Sequence, residues 1–326
     1  MTKSRHVRSN RQIPAPPQHP AEDEERRFFE PLYAEWIPFH DQRPPTLYHY
    51  TTAQGLLGIM ESNRLWATNV RFLNDPSEID YAICIIRESL GSVPLPANFH
   101  DQVNYRLDES EAEARVYVCC FCVEGDLLSQ WRGYGAQGGG YAIGFDTENF
   151  GDREVAMPPR PILRRVIYDR ETQFRLIRTW LQAVCDLDTA QRAATNRTLR
   201  NRLSERMETL VFSFHLMLSQ FLVCFKNPAY EGEQEWRLIQ FGRVQGNEII
   251  KPAFRPRGGR IIPYATLDMT QPAGKNPGKL PIQGIRFGPT LEPQTAKRSL
   301  RLLCEAAGYR VAWGNVAPSI VPFSGF

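Results

Sequence analysis

Long apolar runs are missing from this chain of 326 residues, and none reads as the ~20-residue apolar stretch of a membrane span. A strong charge of one sign is missing too. With 39 Lys and Arg against 36 Asp and Glu, the net charge is +3 and the pI near 8.5, which permits contact with nucleic acid without demanding it. No GxSxG elbow, HExxH helix or Walker lysine loop occurs, so nothing points to a serine hydrolase, a zinc protease or a P-loop enzyme. The seven cysteines include the run CCFC at 119–122, but no second Cys/His cluster with zinc-like spacing accompanies it. Adjacent strand residues point to opposite faces, so Cys119 and Cys120 chelate one ion poorly. Most of the cysteines lie in apolar stretches, so buried free thiols in a reducing, cytoplasmic compartment are expected. Lys3, Arg5, Arg8 and Arg11 have no apolar core behind them, so they form no secretory signal.

What is present begins with a polar, proline-rich stretch at 1–27, split into basic and acidic blocks. It offers too little apolar surface to offset its ordering entropy and is expected to be a flexible tail, with one ordered domain over 28–326. LYHYT (47–51), LWATN, RVYVCCFCVE, GGYAIGFD, ILRRVIYD, EWRLIQF, GRIIPY and GIRFGP read as strands. AQGLLGIMESN reads as a short helix, and Ile79, Ile83, Ile86 and Leu90 recur at helical spacing in SEIDYAICIIRESL. Residues 171–225 are mainly helical and rich in arginine. Because strands and helices do not alternate regularly, the fold class is α+β with a helical insertion.

Four constellations carry polar chemistry. In FLNDPSE, Asp75 as helix cap, Pro76 at the first position and Glu78 three residues on make a helix-start box, while Asn74 sits at a junction that can serve a cleft. In LLSQWRGYG, Ser129, Trp131, Arg132 and Tyr134 fall on one short helical segment. An aromatic beside an arginine suits a planar ring plus a phosphate, or equally a core tryptophan and a surface arginine. Gly138, Gly139 and Gly140 lack GxGxxG spacing; they allow close backbone approach to a flat ligand or a plain turn. In EGEQEWRLIQF, Glu233, Glu235 and Arg237 share one face of a strand, directed to a cleft or solvent if Trp236 and Leu238 face the core. His49, flanked by tyrosines in LYHYTT, is either a hydrogen-bonded core histidine or part of a site.

The ordered set LYHYT, LWATNVRFLNDPSE, SQWRGYG with GGYAIGF, EQEWRLI and SIVPF resembles a large uncharacterised bacterial domain family over roughly residues 45–325. More distantly, the strand histidine, short helix and LWAT strand resemble ADP-ribosyltransferases of the His-Tyr-Glu type. That resemblance implies an ADP-ribosyltransferase-like split sheet and NAD as substrate, with no metal. His49 would hold a ribose hydroxyl, Tyr134 or Trp131 would stack on nicotinamide, and Glu235 (or Glu233) would be the catalytic carboxylate. Tyr50, Thr51, Asn74, Ser129 and Arg132 would line the NAD site, with Arg132 on the pyrophosphate. It further implies a macromolecular acceptor, protein, RNA or DNA, and a toxin or antiviral-defence role. NAD hydrolysis and a non-catalytic nucleotide-binding or nucleic-acid-binding module are the alternatives; the arginine-rich helices could approach nucleic-acid phosphates, although a charge-laden exposed helix face is the commoner explanation.

Overall fold

The computed structural model describes residues 20–34, 36, 42–75, 77–108, 116–148, 150, 161–244, 247–248, 250–257, 259–270 and 276–323. The expected strands form as β1 (Thr46–Thr51), β2 (Leu65–Asn69), β3 (Val116–Cys122), β4 (Tyr141–Asp146), β5 (Ile162–Arg165) and β6 (Glu235–Phe241). After a small hairpin of β7 (Arg243–Val244) and β8 (Asn247–Glu248) come β9 (Ala253–Arg257), β10 (Arg260–Leu267), β11 (Ile282–Phe287) and β12 (Val316–Pro318). Ten of them build one mixed sheet, in the order β12-β11-β4-β1-β3-β2-β10-β9, with β6 beside β3 and β5 beside β6. The fold is α+β.

β3 is where the sheet forks. β6 fills one of its edges residue for residue, from Val116↔Phe241 to Cys122↔Glu235. Its other edge is shared. β1 pairs at Tyr48↔Cys122, and β2 at Thr68↔Val118 and Asn69↔Tyr117. Between those pairings the backbone of Cys120 faces no strand on that edge, and a buried carbonyl left unmet is unfavourable. The His49 ring fills the gap, its Nδ1 donating to the Cys120 carbonyl at 2.8 Å.

Both faces of the sheet are covered. Leu47, Ala67, Cys119, Phe121, Trp236 and Leu238 face one layer, formed by Leu56, Ile59 and Met60 of α2 (Ala53–Ser62) together with Ala296, Leu300 and Cys304 of the carboxyl-terminal helix Pro293–Ala306. Val116, Val118, Ile162 and Ile239 face the other, built from α3 (Ser77–Gly91), α4 (Ala97–Asp108), α6 (Arg170–Ala193) and α7 (Arg197–Cys224), while the short α5 (Leu128–Gly133) packs separately, through Trp131, with Tyr50, Cys122 and Ala142. The segment read as a helical insertion is therefore the layer that roofs this face. Asp169 and Asn196 start its two helices, accepting from Thr172 N at 2.8 Å and Leu199 N at 2.7 Å. By length and composition α7 is long and apolar enough to cross a membrane, although polar residues interrupt its apolar stretch. Half of its most apolar window is buried inside the protein, with Phe214, Met217 and Phe221 in the core.

Two expectations need correction. The tail expected over 1–27 ends early, because helix α1 begins at Pro20 and runs to Ala34; residues 1–19 lie outside the described ones. The later turns of that helix carry Phe28, Phe29, Leu32 and Tyr33, which pack on the helical core. Their burial offsets the entropy on which the tail reading rested. The cysteines are all free, but Cys84 is exposed rather than buried. Cys119 and Cys122, three apart as in a CxxC pair, lie on opposite faces of β3 and cannot meet.

Candidate functional site

Beside the fork, one cleft is lined by Tyr48, His49 and Tyr50 of β1, Cys120, Phe121 and Cys122 of β3, Gln130 and Tyr134 of the α5 region, and Glu233 and Glu235 at the start of β6. Its free volume is about 50 Å³. That is room for one or two waters. A larger cavity of about 290 Å³ lies on the other side of Tyr48, along Thr46, Glu124, Asp126 and Arg286. Size and chemistry thus point to different cavities. Asp126 is already occupied there, accepting from Trp131 Nε1 at 2.8 Å and Ile320 N at 2.8 Å and pairing with Arg286. The reactive groups converge on the smaller cleft.

The state of His49 follows from its bonds. Burial pushes its pKa down and the Arg255 charge adds to that, against the Cys120 hydrogen bond, so the ring is neutral. A carbonyl only accepts, so the proton sits on Nδ1 and Nε2 keeps its lone pair. Among the described residues Nε2 has no hydrogen-bond partner. Tyr134 is half-buried, and burial with Glu233 nearby drives its pKa up, leaving a neutral phenol whose hydroxyl likewise has no partner among the described residues.

Below the cleft lies a buried ion network. Glu235 and Arg237 share a face of β6 as expected, but that face is roofed by helices, and the two are only 6% and 1% exposed. The cleft-or-solvent expectation for Arg237 is therefore corrected. Arg237 Nε donates to Glu235 Oε1 at 2.7 Å and its Nη2 to Glu78 Oε2 at 2.6 Å. Lys226 Nζ reaches Glu78 at 2.9 Å, Glu233 at 2.5 Å and Glu235 at 3.0 Å. Burial raises the Glu235 pKa, but Arg237 and then Lys226 more than offset it and hold the carboxylate ionised. Glu233 goes the other way, burial raising it above the usual carboxylate range against the pull of Lys226. Its Oε1 has no partner among the described residues. The helix-start box is correct at Asp75, whose Oδ1 accepts from Ser77 N at 2.8 Å. Glu78 instead turns inward to the network.

The structure brings His49, Tyr50, Tyr134, Glu233 and Glu235 together and leaves the other expected residues outside the cleft lining. Trp131 is fully buried, edge-on to Tyr50 at 4.9 Å and bonded to Asp126, so it presents no face to the cleft, whereas Tyr134 lines it. Tyr50 supports the wall, donating from its hydroxyl to Glu124 O and accepting from Leu127 N, each at 2.9 Å. Arg132 is exposed over the Phe323 ring and does not line the cleft. Asn74 is exposed and bonded by Arg257, Ser129 is exposed, and the Thr51 hydroxyl lies against Gly55 at the start of α2. The glycine run serves the chain's own backbone. A side chain at Gly140 would meet Thr51 O at 2.4 Å.

Lys226, Gln130, Tyr48 and the network role of Glu78 escaped the sequence reading. Lys226 left one signal, a lone cation directly after the apolar end of α7 in FKNP.

The sequence profile of a protein family of unknown function, DUF2971, matches residues 130–238. That stretch carries one wall of the cleft, with Gln130, Tyr134, Glu233 and Glu235, and Lys226 and Arg237 of the network below it, and leaves out His49. No curated protein matches the chain, and no solved structure does.

Proposed function

We propose that this cleft binds NAD as a substrate and that the chain is an ADP-ribosyltransferase-like enzyme. One observation carries the reading. The division of the sheet at β3, between the pairings of β1 and β2, supports the reading, as does one cleft that gathers a neutral acceptor histidine, a tyrosine ring and two carboxylates. His49 Nε2 accepts a ribose hydroxyl. Tyr134 supplies the flat apolar surface for nicotinamide. At about 50 Å³ the cleft admits that ring only as Tyr134 and Glu233, on a short helix and a 3-10 turn, move apart.

The C1′–N bond to nicotinamide breaks, the electron pair leaving with nicotinamide, and positive charge grows on the ribose. Three carboxylates face two cations in the network, one formal negative charge in excess, and that field stabilises the cationic ribose. An oxygen or nitrogen of the acceptor then bonds to C1′ and gives up its proton to Glu233, the carboxylate with an open oxygen and a raised pKa. Glu235, with both oxygens engaged by Lys226 and Arg237, acts as a fixed anion rather than a proton carrier. With water as acceptor the same steps make an NAD hydrolase.

The test is nicotinamide release from NAD by the full chain, measured beside Glu233→Gln, Tyr134→Ala and Glu235→Gln, with far-UV circular dichroism confirming that each variant folds. Release by the wild type, with a loss of about 100-fold or more in Glu233→Gln, supports the reading. A folded wild type that neither releases nicotinamide nor binds NAD in calorimetry ends it, and the cleft then belongs to a recognition module.

A further inference from the structure

Several charges on the arginine-rich helices have partners within the chain. Arg170 pairs with Glu88, Arg192 with Asp188, and Arg200 caps Ala194, while Arg178 and Arg206 lie over phenylalanine rings. Unneutralised charge gathers elsewhere, on the hairpin of β9 and β10. Lys251, Arg255, Arg257 and Arg260 lie within or beside it, and among the described residues none pairs with a carboxylate. Arg257 meets only the neutral amide of Asn74, and Arg255 donates to Thr68 Oγ1 at 2.8 Å while stacking over Trp66 and Tyr264.

Register puts these arginines together. Arg260 pairs with Arg257, and Arg255 with Ile262, so all three arginines share one face of the ribbon. Two like charges directly opposite one another are unfavourable in water, and a bound polyanion relieves that repulsion. The other face carries Phe254 and Ile261, 63% and 72% exposed. Charge and a proline on an edge strand also deter pairing with another chain, and Arg255-Pro256-Arg257 on β9 fits that use. That use explains neither Phe254 nor Arg260, which stands on β10. The hairpin's base lies at the fork, where Arg255 is close enough to His49 to lower its pKa.

We propose that the β9–β10 hairpin is a docking surface for single-stranded nucleic acid, with the cations on phosphates and Phe254 on an unpaired base. Exposed apolar side chains on the opposite face of the same two-stranded edge, reached by a strand that passes over β9, favour a flexible chain with open base faces over a duplex, which hides them. The docking rests on the hairpin alone. That the docked strand is the ADP-ribose acceptor rests on the NAD reading, the strand then supplying the nucleophile that bonds to C1′.

The experiment is fluorescence anisotropy with labelled single-stranded RNA and DNA, a duplex of the same sequence and polyglutamate, using the full chain. Four phosphate contacts on a single strand give an affinity loss of about 50-fold between about 50 and about 200 mM salt. Arg257→Ala combined with Arg260→Ala halves the slope and leaves a loss of about 7-fold. Phe254→Ala weakens single-strand binding about 10-fold with the slope unchanged. Absence of binding at low salt, or binding untouched by the double variant, overturns the proposal. So does duplex or polyglutamate binding as tight as that of the single strand, which marks a general polyanion site or an acidic protein partner. Nicotinamide release measured on the same samples separates the two readings: strand binding without release sinks only the NAD reading, and release without strand binding sinks only this one.

Discussion

Lys226 and Arg237 are each held among carboxylates with almost no contact with water, at 3% and 2% side-chain exposure. Arrangements of this kind are sensitive to the loss of one member, because the remaining charges stay buried without their counter-charge. Lys226→Met leaves Glu78, Glu233 and Glu235 with Arg237 alone, and should cost about 3–5 kcal/mol in urea unfolding. Replacing Glu78 by Gln in that background should recover part of the loss, whereas two independent sites would add. His215 gives a pH test of a different buried group. Burial, with Arg106 adding to it, pushes its pKa down to about 4, so folding favours the neutral ring. The unfolded chain binds the extra proton first, so stability is complete above pH ~6.5 and falls as pH drops toward about 4. Allowing for partial exposure, the loss is about 1–2 kcal/mol, and His215→Leu should remove that slope from a pH series of melts.

At the scale of elements, most strands were legible because alternation and apolar runs depend only on neighbours in sequence. β3 and β6 are examples, each apolar along one face and buried on both. Glu78 was not legible in the same way. A box of Asp75, Pro76 and Glu78 is complete within four residues, and the partner that overrides it, Arg237, lies 159 residues away. The short α5 was found, yet its two aromatics could not be told apart from sequence. Trp131 is turned inward by Asp126, five residues before it, and Tyr134 follows the helix into the cleft. The glycines around α5 separate by surroundings. A methyl group at Gly140 meets Thr51 O and the Gly135 backbone at 2.4–2.8 Å, while one at Gly133 meets nothing within 4 Å. Gly140→Ala should therefore lower stability by ~1–3 kcal/mol, and Gly133→Ala should raise it by up to ~1 kcal/mol, read as opposite shifts in Tm.

For the whole molecule the governing feature is the fork, and no local pattern announces it. Its position depends on where β1 and β2 stop sharing an edge with β3, and on His49 finding a carbonyl 71 residues along the chain. The cleft therefore has walls from distant parts of the sequence: β1 near residue 50, α5 near 130 and the turn before β6 near 230. A ligand that bridges them must slow amide exchange in all three at once. Saturating NAD should protect amides in Thr46–Thr51, Leu128–Gly133 and Pro228–Glu233, while α4, which supplies no residue to the cleft lining or the ion network, keeps its exchange rates. His49→Ala should abolish the protection of the first segment most strongly, since it removes the ring that joins β1 to the open edge of β3. Protection confined to the wall around Thr46, Glu124 and Arg286 would instead move the ligand to the larger cavity across Tyr48, whose lining includes neither Glu233 nor Glu235.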